Sequence, residues 1–106
     1  MILEVAILNV IPGREPAFES AFRQAQAIIA SMAGYHSHEL HRCLEAGNRY
    51  VLLVHWETPE DHTVGFRQSA QYQTWKRLLH SFYDPFPTVE HYVAVDGVPD
   101  RTITQS

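Results

Sequence analysis

Aromatic and imidazole side chains are concentrated in one stretch of the sequence, where they could build a binding site. Trp56 ends a strand-like run, and His62, Phe66, Tyr72 and Trp75 follow it. Because Tyr and Trp have polar tips that need partners when buried, such a cluster between a helix and a sheet would form an apolar cavity with a few hydrogen-bonding groups. That cavity would suit a flat aromatic ligand.

The same stretch also has a plainer interpretation. Tyr72, Trp75, Leu79 and Phe82 recur at helical spacing and could be the core stripe of an amphipathic helix. We expect that role for Leu79 and Phe82, whereas the polar tips of Tyr72 and Trp75 favour a pocket. Asn9, at the end of the first strand-like run, could add an amide to it.

Other kinds of site find little support in the sequence. Among seven histidines, His38 would face His55 if the hairpin turn has two residues, but a shift of one residue would put them on opposite faces. We therefore expect surface or interface histidines, and no metal site. No GxSxG elbow, GxGxxG loop or phosphate loop occurs, and Cys43 is the single cysteine. Hydrolase chemistry and a nucleotide site therefore find no support, and thiol redox chemistry is excluded.

Length and composition describe one globular domain. The chain has 106 residues, of which 45% are hydrophobic and 19% charged. Eight basic residues against twelve acidic ones leave no basic face for nucleic acid. The apolar runs are too short for a membrane helix, and no basic leader precedes the first strand-like run. We expect a cytoplasmic protein that does not enter a membrane.

Hydrophobic periodicity then predicts the elements that must position the aromatic cluster. Ser69 is the expected N-cap of the last helix, and Thr58 that of the short helical region before it. In chain order the predicted elements are a strand over 2–10, a helix over 14–32, a hairpin of strands over 35–44 and 49–57, a short helical region that opens at Pro59, a helix over 70–82, a strand over 89–95 and a tail over 97–106.

This order is that of a ferredoxin-like βαββαβ fold, an α+β domain over 1–96 with both helices on one face of a four-stranded antiparallel sheet. The third strand is apolar at odd and even positions alike, so its second face also needs a cover. A second copy of the sheet would supply it, which predicts a homodimer centred on Leu52 and Val54 or on Val51 and Leu53. The alternative is a monomer with a large exposed apolar area.

The sequence resembles the antibiotic biosynthesis monooxygenase domain family, within the dimeric α+β barrel superfamily, from residue 2 to about 95. The resemblance rests on the order and spacing of a few short elements. These are Pro12-Gly13 after the first strand, the pair Phe18 and Phe22, Gly34-Tyr35, Leu53-Val54-His55-Trp56, and the series His62, Phe66, Ser69, Tyr72 and Trp75.

The resemblance implies a homodimer and oxygen chemistry without a metal or flavin cofactor, in which an electron-rich phenol or quinol gives its own electron to O₂. The partners would be a small aromatic molecule and O₂. His62 is the predicted catalytic base, since a neutral His can take a proton from a phenol near pH 7. Asn9, Trp56, Phe66, Tyr72 and Trp75 are the predicted substrate-binding residues.

Two alternatives accompany this hypothesis. A non-enzymatic protein could hold a small hydrophobic ligand in the same cavity, because fold does not decide function. A related branch of the superfamily degrades haem with a Trp at the end of strand three, a His about ten residues later and an Asn on strand one. Trp56 matches that Trp, but Phe66 takes the place of the His and Asn9 is offset, so haem breakdown ranks third.

Overall fold

The strands and helices follow one another along the chain in the predicted order. The computed structural model describes residues 1–98, and its regular elements are β1 (Ile2–Asn9), α1 (Glu15–Ala30), β2 (Tyr35–Arg42), β3 (Arg49–Trp56), a π-helical turn (Asp61–Phe66), α2 (Ala70–Leu79), a 3₁₀ turn (His80–Phe82) and β4 (Thr88–Tyr92). The strands form one antiparallel sheet of order β2-β3-β1-β4. The ferredoxin-like α+β prediction is confirmed.

The core lies between the helices and one face of the sheet. Even-numbered residues of the two central strands form that face, where Ala6, Leu8, Leu52 and Val54 are buried. This parity follows from the alternation of side chains along a strand. Leu52 and Val54 therefore belong to the core and not to the centre of an interface, the role that one version of the prediction gave them.

Helical periodicity supplies the other layer of the core. Helix α1 buries Phe18, Phe22, Ala25 and Ile29, which recur at three- and four-residue steps. Helix α2 begins at the predicted cap, where the Ser69 hydroxyl accepts a hydrogen bond from the backbone N–H of Tyr72 at 3.1 Å. The helices thereby cover the even-numbered face with aromatic and aliphatic side chains.

The register of the hairpin determines whether His38 and His55 can face each other as predicted. Leu40 pairs with Leu52, so His38 lies opposite Val54 while Ser37 lies opposite His55. His38 and His55 consequently lie on opposite faces of the sheet and cannot share a ligand. Within residues 1–98, no group of three or more His, Cys, Asp or Glu side chains could hold a metal ion.

The last strand is shorter than predicted. It ends at Tyr92, which pairs with Leu3, and Val93 and Val95 beyond it are 71% and 72% exposed. The reason is that β1 has almost no residues left before Leu3 with which β4 could continue to pair.

Most of the predicted tail, 99–106, lies outside the described residues. No helix in the described part of the chain is long and apolar enough to cross a membrane.

The odd-numbered face of the sheet points away from both helices. Its centre is apolar and formed by Val5, Ile7, Val51 and Leu53, of which Ile7 is the most exposed. Glu39 and Glu90 occupy the same face on the two outer strands. The sheet thus carries a second apolar surface with a charged margin.

A glycine fixes how β2 starts beneath the π-helical turn. Gly34 has φ +82°, and a Cβ atom there would overlap the carboxylate of Asp61. Its carbonyl accepts a hydrogen bond from the backbone N–H of Glu57 at 2.8 Å, directly after Trp56. Asp61 in turn accepts hydrogen bonds from the backbone N–H and the hydroxyl of Thr58. Gly34 therefore allows the start of β2, the end of β3 and the π-helical turn to pack closely together.

We predict that Gly34→Ala destabilises the fold more than Gly13→Ala. Gly13 has a similar φ of +93° but open space around it, so its replacement costs only backbone strain of about 1 to 2 kcal/mol. Gly34→Ala adds steric overlap on top of similar strain, for a total of roughly 3 kcal/mol or more. Chemical denaturation of both variants measures the difference, and equal losses would contradict the overlap.

Candidate functional site

Four polar side chains from four elements meet on the helix-facing side of the sheet. Glu4 lies on β1 directly opposite His91 of β4, and its partner on β3 is Val54, two residues from Trp56. Side chains alternate along each strand, and directly paired residues point to the same face. Glu4, His91 and Trp56 therefore lie on one face of the sheet. His62 of the π-helical turn lies above them.

Contacts join these four side chains into one cluster. The Trp56 indole N–H donates a hydrogen bond to Glu4 Oε1 at 2.9 Å, and His62 Nε2 lies 3.5 Å from Glu4 Oε2. On its other side, His62 Nδ1 lies 2.9 Å from His91 Nε2. The His62 ring stacks on Trp56 with centroids 5.8 Å apart. Both ring nitrogens of His62 therefore face a titratable partner.

Burial gives Glu4 and His62 unusual proton affinities. Each residue is only 4% exposed. Burial raises the pKa of Glu4 to about 7, although the Trp56 hydrogen bond and the positive charge of Arg67 oppose the change. Burial lowers the pKa of His62 to about 3, and the charges of Arg67 and His91 act in the same direction. Near neutral pH, His62 is uncharged while Glu4 exchanges a proton with its surroundings.

A cavity opens beside Glu4 between the sheet, α2 and the segment before β4. The cavity has a volume of about 50 Å³, and its mouth is open to solvent. Phe86, 67% exposed, is one of its walls. The lining residues are Glu4, Ala6, Leu8, Ile29, Leu52, His62, Phe66, Arg67, Tyr72, Trp75, His80, Tyr83, Phe86, Pro87 and Val89.

Most of the predicted site residues border this cavity. His62, Phe66, Tyr72 and Trp75 line it, and Phe66 contacts Tyr72 and Trp75 edge-on. Tyr72 and Trp75 therefore face the sheet as predicted. Two other predicted residues are placed differently.

Trp56 and Asn9 do not line the cavity. Trp56 is fully buried behind it, where it donates a hydrogen bond to Glu4 and packs against His62 and Phe66. Asn9 lies at the far end of β1, on the odd-numbered face, where it pairs with Arg49. The structure therefore does not bring Asn9 to the cavity that the other residues share, because its parity is opposite to that of Glu4 and Leu8.

Sequence analysis missed Glu4, Arg67 and His91. The signal for Glu4 was present, since it has the same parity as Ala6 and Leu8 in a strand whose even positions face the helices. A carboxylate at such a position must be paired or have a shifted pKa. Arg67 follows the π-helical turn, and its side chain makes no ion pair or hydrogen bond within residues 1–98.

Comparison with known proteins identifies relatives of the chain. The family model described as antibiotic biosynthesis monooxygenase matches residues 1–78. The uncharacterized protein YczJ of Bacillus subtilis is 58% identical over 92 residues, which make up 87% of this chain and 97% of that protein. These matches extend over most of the described chain.

Solved structures show the same architecture. A Bordetella bronchiseptica protein classed with the antibiotic biosynthesis monooxygenases is 42% identical, with a TM-score of 0.86 over 89% of this chain and 96% of that one. SnoaB from Streptomyces nogalater, described as a cofactor-independent oxygenase, is 23% identical, with a TM-score of 0.73 over 93% of this chain and 97% of that one. At this identity the second likeness shows the fold alone.

We predict that Glu4→Gln stabilises the protein increasingly as pH rises. In the unfolded chain Glu4 titrates near 4.5, whereas in the folded protein its pKa is about 7. The folded state therefore binds more protons between these values, and the free energy of unfolding falls as pH rises through that window. Gln resembles the neutral acid and avoids this loss. The stability gap between variant and wild type should grow by about 2 to 3 kcal/mol between pH 5 and pH 8.

Urea unfolding at several pH values measures this gap. The titration of His62 is common to both proteins and cancels in the difference. Glu60→Gln is the matched control, because Glu60 is exposed and its replacement should leave a gap that hardly changes with pH. A gap for Glu4→Gln that is equally flat would show that Glu4 titrates as an ordinary carboxyl.

Proposed function

The chain belongs to the antibiotic biosynthesis monooxygenase family, and we propose that it oxidises a small electron-rich phenol with O₂ without a cofactor. One observation carries the proposal: a buried carboxyl group, Glu4, with a pKa of about 7 borders an aromatic cavity. A group that titrates near the working pH is the most effective acid or base for proton transfer. The match of residues 1–78 to the antibiotic biosynthesis monooxygenase family supports oxygen chemistry.

Glu4 is a better base for this reaction than His62, the base that the sequence predicts. The proton of His62 is already lost above a pH of about 3, so its ring has little affinity for a proton from a phenol. The pKa of Glu4 lies close to neutral pH, where a base both is available and binds a proton well. Its carboxylate also has lone pairs beyond those that face Trp56 and His62. We therefore assign the base to Glu4 and a supporting role to His62.

The proposed reaction balances without an external reductant. The Glu4 carboxylate takes a proton from a ring CH₂ group that the phenol activates, and the resulting anion transfers one electron to O₂. The substrate radical and superoxide combine to a peroxide anion, which takes the proton back from Glu4. Loss of water from the hydroperoxide leaves a carbonyl. In sum, one CH₂ group and one O₂ give one C=O group and one water.

The cavity suits both reactants. Its lining includes apolar side chains such as Ala6, Leu8 and Leu52, and a small apolar space accepts an apolar gas. A substrate ring would lie at the open mouth of the cavity, against Tyr72. The Tyr72 hydroxyl makes no hydrogen bond in the described part of the chain, so it can bond a substrate oxygen. The positive charge of Arg67 favours the substrate anion.

The two alternatives fit these observations less well. Ligand binding alone gives no reason for a carboxyl whose ionisation costs stability. For haem, Phe66 provides no ligand atom, and both ring nitrogens of His62 face other side chains.

We predict oxygen uptake by the metal-free protein with at least one member of a panel of anthrones and hydroquinones. The rate should rise as pH passes through about 7, since the base must be unprotonated. Glu4→Gln should lower the rate roughly 100-fold or more, because the amide cannot accept the proton. An oxygen electrode measures the rates, and mass spectrometry identifies the product.

Glu60→Gln is the control and should keep the wild-type rate. No uptake with any substrate above the buffer rate would contradict the oxygenase proposal. A ligand that co-purifies and is released unchanged in air would then favour the binding protein. Uptake that survives Glu4→Gln would leave the oxygenase proposal intact but remove Glu4 as the base.

We also propose that the odd-numbered face of the sheet pairs with its copy in a homodimer. Val5, Ile7, Val51 and Leu53 form an apolar centre there, and the helices cover only the opposite face. Large exposed apolar patches on soluble chains commonly mark interfaces, and a stable pair buries roughly 800 Å² on each side. Of the residues predicted for the centre of the interface, Val51 and Leu53 are on this face.

We predict that Val51→Glu converts the dimer to a monomer at micromolar concentration. The added carboxylate would be buried without a partner in the paired sheets, which costs several kcal/mol. Val64→Glu is the matched control, because Val64 is half-exposed on the π-helical turn at the other side of the sheet. Sedimentation equilibrium measures both variants. A wild-type chain that sediments at its monomer mass of 12.2 kDa would refute the dimer.

A further inference from the structure

Three titratable side chains form a row from the cavity toward the protein surface. Glu4 borders the cavity and is buried, and His62 Nε2 lies 3.5 Å from its Oε2. His62 is also buried, and its Nδ1 lies 2.9 Å from Nε2 of His91. His91 is partly exposed and does not line the cavity. The row therefore ends at a partly exposed ring that is not among the residues lining the cleft.

We propose that this row conducts protons between Glu4 and solvent through a coupled change of tautomer in His62 and His91. Its use in turnover rests on the proposed function, in which a substrate would block the mouth of the cleft. The proposed cycle returns the proton of Glu4 to the peroxide, so the row serves the step before it: a Glu4 that is still protonated when the substrate enters could then lose its proton only through the row. In this account His62 and His91 are positioning residues, because neither needs to touch the substrate.

Two arrangements of hydrogen atoms give each contact between Glu4, His62 and His91 one donor and one acceptor. When Glu4 is protonated, its O–H faces His62 Nε2, and the Nδ1–H of His62 donates to His91 Nε2. When Glu4 is a carboxylate, the Nε2–H of His62 faces its oxygen, and the Nε2–H of His91 donates to His62 Nδ1. Each neutral ring carries one proton in both arrangements, so neither leaves a nitrogen without a complementary partner.

The transfer balances without a charged intermediate. The Glu4 proton moves to His62 Nε2, the Nδ1 proton of His62 moves to His91 Nε2, and the Nδ1 proton of His91 moves to water. One proton leaves the protein and both rings stay neutral. A ring that resists holding a positive charge, as His62 does, can therefore still pass a proton on.

The charges around the row favour this neutral relay. Arg67 is the cation whose charge lowers the pKa of Glu4, His62 and His91 alike. Tyr72 and His80 also face the cavity; burial raises the pKa of the Tyr72 hydroxyl and lowers the pKa of His80, so both are uncharged near neutral pH. Arg67 thus favours release of the proton from Glu4, against the effect of burial, and disfavours an imidazolium.

Nitrogen-15 NMR of the histidine rings tests the relay without any substrate. In the wild type, both His62 and His91 should change from the Nδ1–H to the Nε2–H tautomer as the pH passes through the pKa of Glu4, about 7. In Glu4→Gln the amide N–H₂ can donate to His62 Nε2, which should keep the Nδ1–H tautomer at every pH. A wild type without the switch, or a variant that keeps it, would overturn the proposal.

His91→Gln tests the outer step, with His36→Gln as the matched control on exposed His36. A Gln side chain can donate to or accept from His62 but cannot pass a proton on. We expect exchange between the two His62 tautomers to slow roughly tenfold or more in His91→Gln and to stay unchanged in His36→Gln. Unchanged exchange in His91→Gln would contradict the route. Intact tautomer exchange without oxygen uptake would contradict the proposed function alone.

Discussion

A carboxyl group buried among aromatic rings is the constraint on which the rest of the site depends. An ionised carboxylate away from water is costly unless it is paired, so the surroundings of Glu4 must either compensate its charge or keep it protonated. In the structure the charge of Glu4 is partly compensated and its pKa is also raised. Trp56 donates one hydrogen bond, Arg67 supplies a positive charge nearby, and burial still raises the pKa to about 7. The same rings that exclude water therefore give the acid its reactivity.

The supporting structure follows from this constraint. Trp56 must reach Glu4 diagonally across two strands, which requires the observed β1–β3 register with Val54 opposite Glu4. His62 must lie over Trp56, and the π-helical turn that carries it starts at Asp61, packed against Gly34. Chain elements far apart in sequence are thus held by contacts that end at one carboxyl group. The fold is shared with relatives, while the chemistry resides in these particular side chains.

Much of the fold could be predicted because it depends on local patterns. The Ser69 cap and the periodic apolar residues of both helices are visible in the sequence, and the element order then leaves few topologies. The hairpin register was not predictable, because the turn length was not fixed by a clear two-residue motif, and one residue decides whether His38 faces His55. The predicted end of β4 was wrong since alternation in Val93 and Val95 continues past the last available partner on β1.

The aromatic residues of the site and His62 were predicted from the sequence. The ionisable residues Glu4, Arg67 and His91 were not. Tyr72 and Trp75 face the cavity because helical spacing determines which side of α2 they occupy. Glu4 was overlooked because an acidic residue in a strand usually faces water, and only the parity of its neighbours indicates burial. Asn9 was placed near the site by its position at the end of β1, although its parity directs it to the other face.

The titration of Glu4 itself tests the central claim most directly. Carbon-13 NMR of side-chain-labelled glutamate, with the Glu4 signal assigned by its loss in Glu4→Gln, follows the protonation of this one carboxyl. We expect a midpoint near 7, well above the ordinary value of 4.5. A midpoint near the ordinary value of 4.5 would show that Glu4 is fully ionised at neutral pH and would contradict its role as a tuned base.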